Sequence, residues 1–375
     1  MQMIHCPYRV CPLGAHIDHQ FGIVTGFALD HGVTLEYEPT EDGTVFVTSR
    51  NYPKTVECSL FDLPERKMYW GDFLVGAIYT LSRKYPLSVG IRGEITGSLP
   101  TGGLSSSAAV IITYLSALCR VNGIPLTEPE LIKLAMWEEQ NFIGVHVGKL
   151  DQSCEVYSKK GHLLYLDTLD DSCELIPVSF NMPKFEIAVI FSGLERSLAG
   201  SAYNMRVDEC RAAAYALKAF SHMEYGKYQD TTLRNVPEGI FDIYKGKLPE
   251  NWYKRARHFY TEMERVKAGK KAWKQGDMEK FGRLIMESGE SSIHYYQTGS
   301  DNLHYLQELM KHTKGIYGGR FSGAGFNGSS MAIVDPEYKE EIEGSIRKQY
   351  IKQYPELESS FSITFCQTAD GVKLL

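Results

Sequence analysis

The distribution of apolar residues along the chain predicts a mixture of strands and helices. Short runs rich in Val, Ile, Leu and Phe have the alternation or the continuity expected of strands. These runs predict strands at residues 22–29, 33–38, 44–48, 89–97, 161–167, 185–193 and 360–367. Residues 315–335 predict a strand, a glycine-rich loop and a second strand, and residues 337–350 predict an amphipathic helix.

Capping signals and apolar periods predict further helices. The apolar run that follows the serines of SLPTGGLSSSAAVIITYLSALCRVNG predicts a buried helix with a serine cap and a stop at Gly123. Thr127 and Glu130 have the spacing of a capping box at the start of the next helix. Helical periods dominate from Ala199 to about Trp273. Because strands and helices mix without strict βαβ alternation, the sequence predicts the α+β class.

The chain of 375 residues is long enough for two domains, each with its own core. A polar, proline-bearing stretch at residues 168–184 is the candidate boundary. We therefore expect an N-terminal domain at residues 1–180 and a C-terminal domain at residues 181–375.

Composition excludes several classes of function. Hydrophobic residues make up 43% of the chain and charged residues 23%, and the net charge is −6. No run of like charges indicates a nucleic-acid or membrane partner, and no apolar run approaches the roughly 20 residues of a membrane-spanning helix. The eight cysteines form no C-x-x-C pair, and the first residues do not resemble a signal peptide. These features predict a cytoplasmic protein with free thiols and no obligate protein partner.

The segment PTGGLSSSAA predicts a phosphate-binding loop. Its glycines let backbone N–H groups crowd around an anion, and the following helix directs its free N–H groups and positive dipole end at the same point. Serine hydroxyls there can bind phosphate oxygens or a magnesium ion. The alternative is a plain serine cap on a buried helix. The residues expected to bind are Gly102, Gly103, Leu104, Ser105, Ser106, Ser107 and Ala108.

A second glycine-rich segment, FSGAGFNG, contains the spacing G-x-G-x-x-G at Gly323, Gly325 and Gly328. In a dinucleotide-binding fold this motif follows a strand and opens a helix. Here the following residues, SSMAIV, predict a strand. We therefore interpret the segment as a glycine turn that lines a pocket.

Five segments in order resemble the GHMP family of small-molecule kinases, in particular its galactokinase branch. They are PYRVCPLGAHIDHQ, GGLSSSAA, GKLDQS, SLAGSAYNMRVDEC and FSGAGFNG, and they extend over essentially the whole chain. The resemblance implies an N-terminal domain of the ribosomal-protein-S5-domain-2-like type and a ferredoxin-like C-terminal domain with a helical insertion. It also implies an active site between the two domains that uses ATP and Mg²⁺.

The resemblance assigns roles to residues that match the family motifs. Asp151 resembles the catalytic aspartate that accepts the proton of the anomeric hydroxyl, and Arg9 resembles the arginine that neutralises developing charge. The alternative is a structural Arg–Asp pair. Ser107 and Glu139 resemble magnesium ligands, and both offer the oxygen atoms that Mg²⁺ prefers. Glu138 is the competing assignment for Glu139.

The remaining nucleotide contacts are also implied by the resemblance. Trp70 resembles a tryptophan near the nucleotide base, although a bare aromatic residue is more often part of a core. Gly323, Ala324 and Gly325 form the turn of the C-terminal motif, which we expect to lie at the cofactor site.

The segment GAHIDH departs from the galactokinase pattern at one position. Galactokinases have a glutamate, which hydrogen-bonds the 6-hydroxyl of galactose, where this chain has Ala15. Two like charges about 4 Å apart repel by roughly 4 kcal/mol at an effective dielectric near 20, so a substrate with a carboxylate at C6 would explain the alanine. Arg196 and His19 are candidates to reach that carboxylate, and Arg196 could equally be a solvated surface residue. The other expected sugar contacts are His16, Asp18, Gly148 and Tyr203.

The sequence therefore predicts a kinase that phosphorylates the C1 hydroxyl of D-galacturonic acid. Kinases for galactose or for L-arabinose, which lacks C6, are alternatives within the same branch. A catalytically silent sugar sensor is the alternative from another class, and the intact phosphate loop and Asp151 argue against it.

Overall fold

The computed structural model describes residues 1–100, 102–195 and 200–375, which form two β-sheets with helices packed against them. The strands are β1 (Gln2–Val10), β2 (Ile23–Thr40), β3 (Thr44–Ser49), β4 (Val56–Ser59), β5 (Gly90–Gly97), β6 (His162–Asp167), β7 (Cys173–Pro177), β8 (Glu186–Phe191), β9 (Ile316–Phe321), β10 (Ser329–Val334), β11 (Ser362–Cys366), β12 (Thr368–Ala369) and β13 (Lys373–Leu374). The helices are α1 (Asp72–Ser82), α2 (Ser106–Val121), α3 (Glu128–Trp137), α4 (Leu150–Tyr157), α5 (Gly200–Phe220), α6 (Glu238–Tyr244), α7 (Glu250–Gln275), α8 (Met278–Ser291), α9 (Asp301–His312) and α10 (Lys339–Gln353). This arrangement confirms the predicted α+β class.

The larger sheet has nine strands, with the path β13-β1-β2-β5-β3-β4. Strands β12 and β6 also pair with β2, and β7 pairs with β6. Only β3 and β5 run parallel among the described pairs. The long strand β2 is thus the centre of the sheet, and β1, which carries Arg9, lies directly beside it.

The smaller sheet has four antiparallel strands in the order β11-β8-β10-β9. Along the chain these strands follow the scheme β-α-β-β-α-β, with helices α5 to α9 between β8 and β9 and helix α10 between β10 and β11. This is the ferredoxin-like topology. The turn between β9 and β10, residues 322–328, is the glycine-rich segment singled out in the sequence.

Strand β2 is continuous where two strands were predicted, at residues 22–29 and 33–38. The pairing register with β1 shifts at residues 29–31, so a bulge absorbs the polar interruption without ending the strand. Gly32 makes the close approach possible, because a Cβ there would lie 2.1 Å from the carbonyl oxygen of Cys6. The prediction of a break was wrong because the polar residues mark a bulge and not a turn.

The helices predicted from capping signals are present as α2 and α3. Ser105 lies at the N-cap position of α2, but it adopts a left-handed conformation with φ of 60° and its side chain makes no capping hydrogen bond, so the predicted serine cap was wrong. The backbone N–H of Thr127 donates to the Glu130 carboxylate at 2.9 Å, as the capping box predicts. The helical region predicted from residue 199 is divided into α5, α6 and α7. Helices α1, α4, α8 and α9 were not predicted.

The end of the described chain returns to the larger sheet. Thr368 of β12 pairs with Leu29 of β2, and Leu374 of β13 pairs with Ile4 of β1. Residues 368–374 were predicted to belong to the C-terminal domain, but they pair with strands of the larger sheet. The rest of the predicted division at residues 180 and 181 stays a prediction. The candidate boundary stretch itself contains a strand, β7, which pairs with β6.

Apolar side chains form two buried clusters. The first lies against the larger sheet and includes residues of β8 and β10, and the second contains the alternate residues of those two strands. The first cluster extends from the larger sheet to α7 and α8: the ring of Trp273 on α7 lies 5.3 Å from Phe27 on β2 and 5.2 Å from Phe281 on α8. Helix α7 is therefore packed against the larger sheet. In the part of the chain that the structure describes, no helix has both the length and the apolar character needed to cross a membrane.

Candidate active site

Two adjoining pockets lie where the end of β1, the loop before α2, helix α4 and the β9–β10 turn meet. The first is lined by Arg9, Cys11, Ala15, His16, Asp18, Phe73, Gly103, Ser105, Ser106, Ser107, Glu139, Ile143, Val145, Val147, Gly148, Leu150, Asp151, Tyr203, Gly323 and Ala324. The second shares Phe73, Ser106, Ser107, Ile143 and Val145 with it. Most of the site residues predicted from sequence are therefore brought together around one cavity.

Arg9 and Asp151 form an ion pair at the base of the first pocket. Arg9 Nε and Nη2 contact Asp151 Oδ1 at 2.8 and 2.7 Å, and Arg9 Nη1 donates to the carbonyl oxygen of Gly103 at 3.2 Å. Burial acts to lower the pKa of Arg9, but the charge of Asp151 opposes it and the net effect raises that pKa. Arg9 thus connects the carboxylate on α4 to the loop before α2.

The loop before α2 presents polar groups to both pockets. Gly103 and Ser105 have positive φ angles, 82° and 60°, which turn the backbone sharply before the helix begins at Ser106. The Ser105 hydroxyl is buried and has no hydrogen-bond partner among the described residues. A buried polar atom without a partner at a helix N-terminus is suited to an anionic ligand.

The β9–β10 turn packs backbone to backbone against this loop. A Cβ at Gly323 would lie 2.8 Å from the Cα of Gly103, and a Cβ at Gly328 would lie 2.6 Å from the carbonyl carbon of Gly102. The glycines are required for contact between two loops and not for a dinucleotide. The turn lines the first pocket through Gly323 and Ala324.

Glu139 faces Ser107, near the start of α2, and Glu138 does not. The Ser107 hydroxyl donates to Glu139 Oε1 at 2.6 Å, and the Gln152 amide donates to Oε2 at 2.5 Å. Glu138 points in another direction, since a Cβ at Gly76 on α1 would lie 2.6 Å from its Oε1. Burial, with the charge of Glu139, raises the pKa of Glu138 well above its ordinary value. The oxygen atoms of Glu139 and Ser107 therefore lie side by side, whereas those of Glu138 lie elsewhere.

The second pocket combines aromatic and polar residues. Its lining includes Tyr52, Tyr69 and Trp70, and also Gly102, Ser106 and Ser107. The Trp70 indole N–H donates to the carbonyl oxygen of Pro53 at 2.9 Å, which fixes the ring at the pocket wall. A flat heteroaromatic group with a phosphate tail fits this combination of aromatic wall and helix N-terminus.

Asp18 reaches the first pocket past Gly148. The backbone N–H of Leu150 donates to Asp18 Oδ2 at 3.3 Å, and a Cβ at Gly148 would lie 2.3 Å from the same oxygen. Glycine is therefore required at position 148 for the carboxylate to pass. Burial, followed by the charge of Asp151, raises the pKa of Asp18 to about 6.

The imidazole of His16 is held on several sides. Its ring stacks on Tyr296 at 4.5 Å, its Nε2 lies 2.9 Å from the carbonyl oxygen of Gly323, and its Nδ1 lies 3.5 Å from the Ser292 hydroxyl. Burial, with the charge of Arg320, lowers the pKa of His16 well below its ordinary value, so the ring is neutral. Both ring nitrogens have protein partners, and His16 connects the pocket wall to the β9–β10 turn.

Helix α7 fixes the turn that contains Ala15, a contact that sequence reasoning missed. The backbone N–H of Gly14 donates to Glu262 Oε1 at 2.7 Å, and His258 Nε2 lies 3.0 Å from the carbonyl oxygen of Ala15. His258 and Glu262 lie one helical turn apart and are fully buried. Polar residues at this helical spacing within an apolar face were the available signal.

Several predicted residues lie elsewhere. Leu104 and Ala108 are buried beneath the loop and do not belong to either pocket lining. Gly325 faces Phe321 and Thr298. His19 lies behind the wall, with Nε2 at 3.0 Å from the Tyr296 hydroxyl, and burial lowers its pKa to about 3. Arg196 lies outside the described residues.

Glu155, on α4 one turn beyond Asp151, was also missed. Its side chain is fully buried, and neither carboxylate oxygen has a hydrogen-bond partner among the described residues. Burial, followed by the charge of Asp151, raises the pKa of Glu155 well above its ordinary value. The group is therefore a neutral acid beside the Arg9–Asp151 pair.

Comparison with known proteins finds similarity over the whole chain. A family model described as the GHMP kinases N terminal domain matches residues 72–159. The chain is 34% identical to the galacturonokinase of Arabidopsis thaliana, covering 100% of this chain and 94% of that protein. It is 30% identical to the galactokinase of Thermotoga maritima, covering 92% and 94%.

Solved structures agree. The structure of Lactococcus lactis galactokinase complexed with galactose is similar, with a TM-score of 0.90 and 26% identity, covering 100% of this chain and 95% of that one. A mevalonate kinase of Methanococcus jannaschii shares the fold, with a TM-score of 0.66 and 16% identity, covering 98% of each chain. These findings confirm the predicted fold.

Proposed function

Because the chain belongs to the GHMP kinase family and is an ATP-dependent sugar kinase, we propose that it phosphorylates the C1 hydroxyl of D-galacturonic acid. Its product is then galacturonate 1-phosphate. The observation that carries the proposal is Ala15 in the wall of the first pocket, between groups that suit a sugar. Similarity to a protein named galacturonokinase supports the same substrate.

In this proposal the first pocket holds the sugar and the second holds ATP. Asp151 accepts the proton of the C1 hydroxyl through the carboxylate oxygen that Arg9 does not contact. Arg9 holds the carboxylate in position and, through Gly103, fixes it relative to the phosphate loop. Phosphoryl transfer depends mainly on such positioning and on electrostatic stabilisation.

The loop before α2 holds the transferred phosphate in this proposal. Backbone N–H groups at the start of α2 and the Ser105 hydroxyl are the donors, and Trp70 contacts the nucleotide base. Ser107 and Glu139 fit Mg²⁺, because both offer oxygen atoms, which this ion prefers, and they lie 2.6 Å apart next to the helix N-terminus. A bound Mg²⁺ would neutralise charge on the phosphates.

Ala15, Asp18, Gly148 and Tyr203 form the sugar side of the pocket in this proposal. Asp18 accepts hydrogen bonds from sugar hydroxyls, and Tyr203 closes the opposite side. His16 acts by fixing the wall, since its ring nitrogens have protein partners. Ala15 leaves space and removes a negative charge at the position where the C6 carboxylate lies.

The test is initial-rate ADP release with Mg-ATP and, under matched conditions, D-galacturonate, D-galactose, L-arabinose or D-glucuronate. We expect the largest kcat/KM for D-galacturonate. A larger value for D-galactose or L-arabinose would retain the kinase and refute the uronate assignment. Failure of all four sugars to release ADP would refute a sugar 1-kinase. The cytoplasmic location and the lack of an obligate protein partner stay predictions.

A further inference from the structure

Behind the wall that contains Ala15 lies a group of five side chains, which we name the relay: Glu262, Arg265, Ser288, Ser292 and Arg320. Four of them are fully buried, and Arg265 is half-buried. Arg265 Nε contacts Glu262 Oε2 at 2.7 Å, and the Ser288 hydroxyl donates to Glu262 Oε1 at 2.6 Å. Arg320 Nη1 donates in turn to the Ser288 hydroxyl. The relay therefore joins α7, α8 and β9 behind the sugar pocket.

Arg320 is fully buried, yet its direct hydrogen-bond acceptors are neutral. Nε donates to the carbonyl oxygen of Phe321 at 3.1 Å and Nη2 to the Ser292 hydroxyl at 3.0 Å, in addition to Ser288. Within the described residues no carboxylate lies at ion-pair distance from Arg320. Burial lowers the pKa of Arg320, and the charge that most opposes this is Glu262, which Arg320 reaches through Ser288. A buried charge with neutral partners is costly unless something else compensates for it.

The relay carries a net charge of +1: two arginines contribute +2 and Glu262 contributes −1. Burial acts to raise the pKa of Glu262, but the positive charges around it, Arg265 first, bring that pKa to about 2. The two neighbouring histidines add no charge at neutral pH, since burial lowers the pKa of His258 to about 4 and also lowers the pKa of His16 well below its ordinary value. The excess positive charge is therefore that of Arg320.

The relay touches the pocket wall at both of its ends. Glu262 accepts the backbone N–H of Gly14, and the Ser292 hydroxyl, which accepts from Arg320, lies 3.5 Å from Nδ1 of His16. Gly14 and His16 flank Ala15. The glutamate that galactokinases have at the position of Ala15 would supply a negative charge beside the relay, whereas Ala15 supplies none.

We propose that Arg320 is a specificity-determining residue that favours a sugar carboxylate by its electric field, acting across the wall formed by residues 14–16. This inference rests on the proposed function. With Ala15, the one negative charge is supplied by the carboxylate of the uronate. With a glutamate at position 15, it would be supplied by the protein and the sugar would be neutral. The total charge of pocket and ligand is the same in the two cases. Unit charges roughly 8 Å apart at an effective dielectric near 20 change affinity by about 30-fold.

The test compares kcat/KM for D-galacturonate and D-galactose in the full-length wild type, Arg320→Gln and Arg320→Lys. We expect Arg320→Gln to lower the galacturonate-to-galactose ratio by about 30-fold and Arg320→Lys to keep it within about threefold, because lysine retains the charge. If Arg320 had a purely structural role, its substitution would reduce kcat/KM for both sugars by the same factor and leave the galacturonate-to-galactose ratio unchanged. Equal ratios in wild type and Arg320→Gln would overturn the inference.

A second variant, Glu262→Gln, tests the same field with the opposite sign. The glutamine oxygen can still accept the Gly14 N–H, but the relay gains one positive charge, so the ratio should rise several-fold. General damage to the fold gives no reason for such a rise. If Arg320→Gln does not fold, an unchanged or lower ratio in Glu262→Gln overturns the inference. The proposed function is judged separately, by the wild-type ratio alone.

Discussion

Under the proposed function, the substitution Ala15→Glu should convert the sugar preference from galacturonate to galactose. Ala15 is only 6% exposed and lies in the wall of the first pocket. Its backbone is fixed by the contacts of Gly14 with Glu262 and of its own carbonyl oxygen with His258. A longer side chain therefore cannot turn the backbone away and has to enter the pocket.

The magnitude follows from the charge that the substitution adds. A glutamate carboxylate and the C6 carboxylate of the sugar would lie about 4 Å apart and repel by roughly 4 kcal/mol at an effective dielectric near 20. That free energy corresponds to about three decades in kcat/KM for galacturonate. The same side chain can accept a hydrogen bond from the neutral 6-hydroxyl of galactose, which is worth about 1.5–3 kcal/mol when the acceptor is charged.

The assay is ADP release at neutral pH with each sugar, using Ala15→Gln as the matched control. Glutamine has the same length as glutamate but no charge, so it measures the loss caused by size alone. We expect Ala15→Glu to lose far more galacturonate activity than Ala15→Gln. Equal losses in the two variants would show that the pocket selects by volume, and the charge argument would be refuted.

Three other predictions follow from the site. Asp151→Asn should lower kcat by about 10²–10⁴-fold with little change in sugar affinity, measured by single-turnover kinetics and sugar binding; an unchanged kcat would exclude Asp151 as the base. Glu139→Gln should raise the Mg²⁺ concentration for half-maximal rate roughly 10- to 100-fold, whereas Glu138→Gln should not; the reverse order would exchange their roles. Glu155 has a raised pKa, so the folded state retains a proton that the unfolded state loses, and stability should fall as pH rises above about 4.5. Glu155→Gln should flatten that decline in urea unfolding between pH 5 and 8, and parallel curves would contradict it.

Local signals in the sequence were sufficient to predict the loop before α2 and the helix itself. Glycines, serines and an apolar run predicted the loop and α2, because capping and burial are encoded within a few residues. Helix α3 was likewise predicted from its capping box. The turn between β9 and β10 was recognised as a pocket-lining turn, since a strand follows it in place of a helix.

Contacts between distant residues were beyond such signals. Arg9 and Asp151 are separated by 142 positions, and only the family resemblance indicated that they belong together. The contacts of His258 and Glu262 with the turn at Ala15 went unrecognised, because α7 lies far away in sequence and the spacing of two polar residues on one helix face does not reveal which segment they contact. The bulge in β2 depends on pairing with β1, so residues 30–31 were mistaken for a break.

The return of β12 and β13 to the larger sheet has a consequence for the order in which the protein can mature. Strand β1 lacks its outer neighbour until residues 373–374 are available. The backbone N–H groups of Gly371 and Val372 donate to the carbonyl oxygens of Ser158 and Glu155, at the end of helix α4, which carries Asp151. During synthesis these residues leave the ribosome after every other described element. Until then β1 presents an open edge, a hazard for pairing with other chains. Nascent chains should accordingly acquire kinase activity only when this closing segment has docked.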